Sequence, residues 1–217
     1  MTDARRPLST RNKRWPHAVA RTAIRAGLTP NQVSVLSVVF AGAAGAALVA
    51  SATAGEASQA ALLVVGATGI QLRLLCNLID GLMAVEGGLA SKTGDIFNDL
   101  PDRLADILII AGAGYAAGAL PHAIELGWAA AALAVLVAYV RVLGAAVGAG
   151  HDFRGPMAKP HRMALLTGAC AVSLLEGVFG WTTGVVLFAA LIAMAAGCVV
   201  TLWRRTAFIL DAKTNQT

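Results

Sequence analysis

Six of the chain's 12 acidic residues fall between Asp80 and Asp106: Asp80, Glu86, Asp95, Asp99, Asp102 and Asp106. Carboxylates gathered in so short a stretch are the oxygen ligands that hard divalent cations require. Such cations clamp phosphate and diphosphate groups. The chemistry to expect is metal-dependent transfer of a phosphate-containing group. The competing explanation is that the acids neutralise Arg73 and Arg103, or that Asp95 and Asp99 form an acidic first helical turn. One or two acids would suffice for that.

Helical spacing concentrates these groups further. Arg73, Asn77, Asp80 and Ala84 lie four, three and four residues apart, which puts them on one helix face. Asp95, Asn98, Asp99, Asp102 and Asp106 share a face of a following helix. The short link from Val85 to Gly94 predicts antiparallel neighbours whose polar faces meet across a cavity. Gly81, Gly87, Gly88 and Gly94 would let a ligand or a backbone come close. Glu86 follows Val85 and points away from the Asp80 face if the helix continues.

The elements that carry these faces are set by the solvent. The chain has 217 residues, is 57% hydrophobic and only 13% charged, with a mean hydropathy of +0.69. Soluble domains run near a quarter charged, so the bilayer is the natural environment. A helix needs about 20 apolar residues to cross it, and backbone groups must pair within each segment. The predicted fold is all-α and integral to the membrane. Six spans are expected, at 31–51, 60–83, 97–119, 124–148, 163–180 and 183–203. The first residues are polar and basic for too long to form a secretory signal peptide.

Basic residues then orient the chain. Arg5, Arg6, Arg11, Lys13, Arg14, Arg21 and Arg25 precede the first span, and Lys92 lies between the second and third. Arg154, Lys159 and Arg162 lie between the fourth and fifth, and Arg204, Arg205 and Lys213 follow the sixth. The alternate connections, near 52–59, 120–123 and 180–183, carry no Lys or Arg. The positive-inside rule makes every basic loop, both termini and the acidic cluster cytoplasmic. The net charge of +5 forms no basic stripe with interleaved aromatics, so no nucleic-acid partner is implied.

Ahead of the first span, Trp15, Ala18, Val19, Thr22 and Ala26 share a helical face flanked by Arg14, Arg21 and Arg25. A short amphipathic helix lying on an anionic leaflet is expected there. The expected organisation is a basic tail and interfacial helix over 1–28, a six-helix membrane domain over 29–205 and a tail over 206–217. Ala41, Gly42, Ala44, Gly45 and Ala46 in the first span predict close helix packing. Cys76, Cys170 and Cys198 lie in apolar runs without metal-type spacing and read as small buried hydrophobes. His17, His122, His151 and His161 have no ligand-like neighbours.

The acidic stretch resembles the motif of the CDP-alcohol phosphotransferase family, D-x-x-D-G-x-x-A-R-x8-G-x3-D-x3-D. Here it reads Asn77, Asp80-Gly81, Ala84, Val85, Gly94, Asn98 and Asp102, with every interval preserved. Thr29-Pro30-Asn31 with Ser34 is similar to the family's N-terminal signature, and the six-span plan agrees. Two family aspartates are replaced by Asn77 and Asn98, and the family arginine by Val85. The amides remove two negative charges. Asp99 or Asp95 would restore charge from the same helix, and Arg73 on the Asp80 face is a substitute for the missing cation.

The resemblance implies Mg²⁺ or Mn²⁺ held by Asn77, Asp80, Asn98, Asp102 and Asp99, with Asp102 also the catalytic base. It implies nucleotide contacts from Asn31, Ser34, Gly81, Ala84, Ser91 and Gly94. Acceptor phosphate would meet Arg141, Lys159 and Arg162; as a buried cation Arg141 must find an anion in any case. The last two also read as ordinary loop cations. The implied activity moves a phosphatidyl group from a CDP-linked lipid, such as CDP-diacylglycerol, to an alcohol, with release of CMP. The implied setting is phospholipid biosynthesis in the inner (cell) membrane, by a homodimer. Two alternatives stand beside it. One is a catalytically inactive member that binds nucleotide or lipid as a partner subunit. The other is a small ion-coupled transporter, although carriers place their sites nearer mid-bilayer.

Overall fold

The computed structural model of the protein describes residues 14–89 and 94–214, apart from the side chains of Glu86 and Asp95. Seven helices make up the described residues, without a strand: α1 (Arg14–Arg25), α2 (Pro30–Ser51), α3 (Glu56–Glu86), α4 (Gly94–Ala116), α5 (Ala123–Ala146), α6 (Lys159–Ser173) and α7 (Val185–Thr214).

Four of them, α2, α3, α5 and α7, are long and apolar enough to cross a membrane. The sequence expectation was of six. On length and composition α4 falls short because Asp95, Asp99, Asp102, Arg103 and Asp106 crowd its first half, and α6 because it has only 15 residues. The expected fifth span also ends early. Instead of continuing to 180, the helix stops at Ser173 and the chain folds around Glu176. That carboxylate is 4% exposed and accepts from the Ser173 hydroxyl and from the backbone N–H groups of Gly184 and Val186. It thereby satisfies donors at the start of α7 that have no partner within the helix.

Local sequence explains the helix ends nearest the acids. Thr29 and Gln32 form a reciprocal capping box at the start of α2, with Pro30 at the first helical position. Gly87 closes α3, its N–H bonding the Met83 carbonyl. Pro101 interrupts the backbone ladder inside α4, between Asp99 and Asp102.

α2 packs against both α3 and α4, while α3 and α4 barely touch. α5 joins α4 to α7, and α6 joins α3 to α7. The α2–α4 crossing is close: a Cβ on Gly45 would come 2.5 Å from the Leu108 carbonyl oxygen, and one on Gly112 would come 2.8 Å from the Gly45 carbonyl oxygen. Small residues in the first span thus serve packing within the chain. The core between the helices is Ala-rich, with Leu48, Ile70, Ile109, Leu166, Leu191 and Met194 filling it.

α1 docks on α3 through Pro16 and Ala20, with Ala23 and Ile24 against Ile79, Leu82 and Met83. The face that carries Trp15 and Val19 stays 48% and 38% exposed. The helix is therefore two-sided: one strip joins the protein and another is left for the surroundings.

Candidate active site

Five helix ends meet at the charged end of the bundle. They are the start of α2 with Ser34, the end of α3 with Arg73, Asn77 and Asp80, and the first half of α4 with Asp99, Asp102 and Asp106. The end of α5 brings Arg141, and the start of α6 brings Lys159 and Arg162.

Asp102 is the junction. Its Oδ1 accepts from the Asn77 amide at 2.5 Å and from Arg73 Nη2 at 3.4 Å. Its Oδ2 accepts from Lys159 Nζ at 2.5 Å. Asp102 is 5% exposed, so three donors from α3 and α6 hold one buried carboxylate of α4.

Asp80, also 5% exposed, accepts from the Ser34 hydroxyl at 2.6 Å. Ser34 also donates to the Pro30 carbonyl one turn back. The predicted polar face of α3 therefore divides, with Asn77 turned to α4 and Asp80 tied to α2.

Behind Asp102 lies a buried ion-pair row. Asp106 accepts from Arg73 Nη2 at 2.8 Å and from Arg162 Nη2 at 2.5 Å. Arg73, Asp106 and Arg162 are each at most 1% exposed. Arg162 Nη1 also bonds the Met157 carbonyl. A lone buried charge would be costly, so the members of the row depend on one another. It locks α3, α4 and α6 at the depth of the site.

At the rim, Asp99 Oδ1 takes Arg141 Nη2 at 2.8 Å and Arg103 Nη2 at 3.3 Å. Arg141 also lies over the Phe153 ring at 5.9 Å, and its side chain is 23% exposed.

Several expected site residues are thus brought together: Asn77, Asp80, Asp102, Ser34 and Lys159. Asn31, Gly81, Ala84 and Gly94 are partly exposed nearby in sequence, and Asn98 is exposed. Ser91 lies outside the described residues. Asp99 is turned to two arginines rather than to Asp102. Arg73 does not stand in for the cation missing at Val85; it is fully buried against Asp102 and Asp106, while Val85 is 58% exposed. Arg162 lies behind the site and does not line open space. Asp106 is the member whose part sequence reasoning missed. Its signal was present in the four-residue step from Asp102, but its two arginine partners come from other helices.

Asp80, Asp102 and the amide oxygen of Asn77 are oxygen groups of the kind that Mg²⁺ or Mn²⁺ takes as ligands. Among the described residues no three His, Cys, Asp or Glu side chains form a group that could hold a metal ion, so the amide is needed to complete the set. A groove of about 590 Å³ lies at the opposite end of the helices. Its lining, including Trp181, Thr182 and Val186, has no ionisable group, and nothing there offers chemistry.

No family model matches the chain. A curated relative is the phosphatidylinositol phosphate synthase of Mycolicibacterium smegmatis, 31% identical over 191 residues that span 86% of this chain and 80% of the relative. Among solved structures, the phosphatidylinositol phosphate synthase of Mycobacterium tuberculosis with CDP-DAG bound matches with a TM-score of 0.73 and 19% identity, over 91% of this chain and 94% of that one. The same enzyme in complex with manganese and citrate matches with a TM-score of 0.75 and 20% identity, over 90% and 88%. The structural matches describe the fold, and the curated relative the kinship.

Proposed function

The chain belongs to the CDP-alcohol phosphotransferase family, and from that premise we propose a membrane phosphatidyltransferase of phospholipid biosynthesis. It moves the phosphatidyl group of a CDP-linked lipid such as CDP-diacylglycerol to an alcohol and releases CMP. The observation that carries this reading is the meeting of Asn77 and Asp102, motif positions from two helices, with Asp80 on the same face of α3 as Asn77.

Asp80, Asp102 and the Asn77 amide oxygen would hold Mg²⁺ or Mn²⁺, with Asn98 and Asp99 at the mouth. When bound, the ion stabilises negative charge on the diphosphate and on departing CMP. Asp102 takes the proton of the acceptor hydroxyl as that oxygen bonds to phosphorus and the bond to CMP breaks. Ser34 orients Asp80. Asn31, Ser34, Gly81, Ala84 and Gly94 surround the nucleotide, where small residues allow close approach, and the resemblance adds Ser91 to the nucleotide contacts. Arg141 and Lys159 border the acceptor, and Arg162 anchors α6 behind them. The curated relative's name puts a phosphorylated inositol first among acceptors to test.

In this reading α2 to α7 all cross the inner (cell) membrane. Asp99, Asp102 and Asp106 of α4 are turned to arginine and lysine side chains of the protein, so they do not meet lipid. α1 lies on the cytoplasmic leaflet, and both termini and the site are cytoplasmic by the positive-inside rule. The interfacial segment is 1–28, the catalytic domain 29–205 and the tail 206–217. Lipid acyl chains stay in the bilayer while the nucleotide sits in water. In this reading the protein is a homodimer, as the family resemblance implies, and the mass of the purified particle tests it.

The deciding experiment is CMP release by purified protein in lipid, supplied with CDP-diacylglycerol, Mg²⁺ or Mn²⁺ and a set of alcohols. Metal-dependent release that disappears in folded Asp102→Asn is expected. The full engagement of Asp102 by protein donors favours one second reading, a family member that binds donor without turnover. Donor binding with no CMP release under any acceptor would select it.

A further inference from the structure

The family motif has four aspartates; this chain has Asp80 and Asp102 with Asn77 and Asn98 in the other two places. On the phosphotransferase reading above, we infer that the site takes one divalent cation per chain. Lys159 supplies from within the protein the positive charge at Asp102 that a second ion would otherwise bring.

Charge balance is the first argument. Two motif carboxylates match one divalent ion. A second would add two positive charges to a largely desolvated site that already contains Arg73 and Lys159, and like charges are costly there. Asp99 does not restore the lost charge, because Arg103 and Arg141 already share it.

The ligand atoms are the second argument. A carboxylate that bridges two ions needs lone pairs free on its oxygens for both of them. At Asp102 one oxygen faces the Asn77 amide and Arg73, and the other faces the Lys159 ammonium. Asn77 is committed as well. Its amide nitrogen must be the atom facing Asp102, since two oxygens at that distance would repel. That leaves Asn77 a single oxygen for a metal, where an aspartate would offer two.

The third argument is where Lys159 comes from. It stands at the first position of α6, joined to the site through Asp102 and fixed by the packing of α6 on α3. An ammonium so placed repels a second cation at Asp102 and limits occupancy to the one ion that Asp80 and Asp102 share. Lys159 is thus a positioning residue for the metal as well as a border of the acceptor site.

The test counts Mn²⁺ bound to the full-length protein in lipid, with CDP present, from the electron paramagnetic resonance of the free ion. The wild type is expected to bind one Mn²⁺ per chain. Lys159→Gln should bind Mn²⁺ at least tenfold more tightly, whereas Lys159→Arg, which keeps the charge, should stay near the wild type. Asn77→Asp and Asn98→Asp combined with Lys159→Gln should take two ions. Two ions or none in folded wild type would overturn the inference, as would unchanged or weaker binding in folded Lys159→Gln. CMP release from the same samples separates the two readings. An active enzyme with two ions sinks only the single-ion inference. One ion with no CMP release under any acceptor sinks only the transferase.

Discussion

Ser34 on α2 donates its hydroxyl to Asp80 on α3 at 2.6 Å, with both residues at most 5% exposed. A hydrogen bond to a charged group contributes about 1.5–3 kcal/mol. It also fixes which way the carboxylate faces. Ser34→Ala is expected to lower kcat/KM for the CDP-linked donor by about tenfold to a hundredfold, since each ~1.4 kcal/mol is a factor of ten. Donor-dependent CMP release checks the rate, and a thermal melt checks that the fold survives.

The tight α2–α4 crossing offers a paired test. A Cβ on Gly45 would meet the Leu108 carbonyl oxygen at 2.5 Å, while one on Gly42 would meet nothing within 4 Å. Overpacking of this kind costs about 1–3 kcal/mol. Gly45→Ala should lower the melting temperature and, by displacing the helix that carries Asp102, reduce turnover. Gly42→Ala should leave both near the wild type. Equal behaviour of the two variants would refute the close crossing.

Much of the charged end was legible because helical period is a strong signal. The intervals of the motif led to Asn77 and Asp102, which meet between α3 and α4, and the small-residue run of α2 foretold its close packing. What escaped were partnerships between helices far apart in sequence. Nothing local says that Asp106 will be shared by Arg73 and Arg162, or that Asp99 will turn to Arg141 at a separation of 42 residues. Two of the six expected spans fall short on length and composition in the structure. Site acids make α4 too polar to qualify on its own, and the apolar run after Ser173 hides a turn organised by Glu176. Periodicity found α1 and its exposed face with Trp15, but not the strip that docks, because only the neighbouring α3 determines which strip is buried.

Asp106 holds two guanidinium groups in a site where all three residues are at most 1% exposed. Removing its charge would leave Arg73 and Arg162 under-compensated, and breaking a buried pair costs about 3–5 kcal/mol. Asp106→Asn should therefore lower stability far more than a rim substitution such as Asp99→Asn, whose partners are partly exposed. Thermal unfolding in the same lipid compares them. Similar melting temperatures for the two variants would show that the row does not lock the helices.

Arg141 and Arg162 separate binding from architecture. Arg141 is at the rim, 23% exposed in its side chain, with one carboxylate partner that it shares with Arg103. An acceptor phosphate can replace that partner without burying a new charge. Arg162 is buried and bonded to Asp106 and to the Met157 carbonyl. Arg141→Ala is expected to raise the acceptor KM by about tenfold or more, in line with loss of a charged hydrogen bond of about 1.5–3 kcal/mol, while the melting temperature changes little. Arg162→Ala should do the reverse, lowering the melting temperature strongly and leaving the acceptor KM of the remaining folded enzyme near the wild type. Steady-state CMP release at varied acceptor, paired with a melt of each variant, reads both quantities. An Arg162→Ala enzyme with normal stability and a raised acceptor KM would move that arginine from the scaffold into the acceptor site.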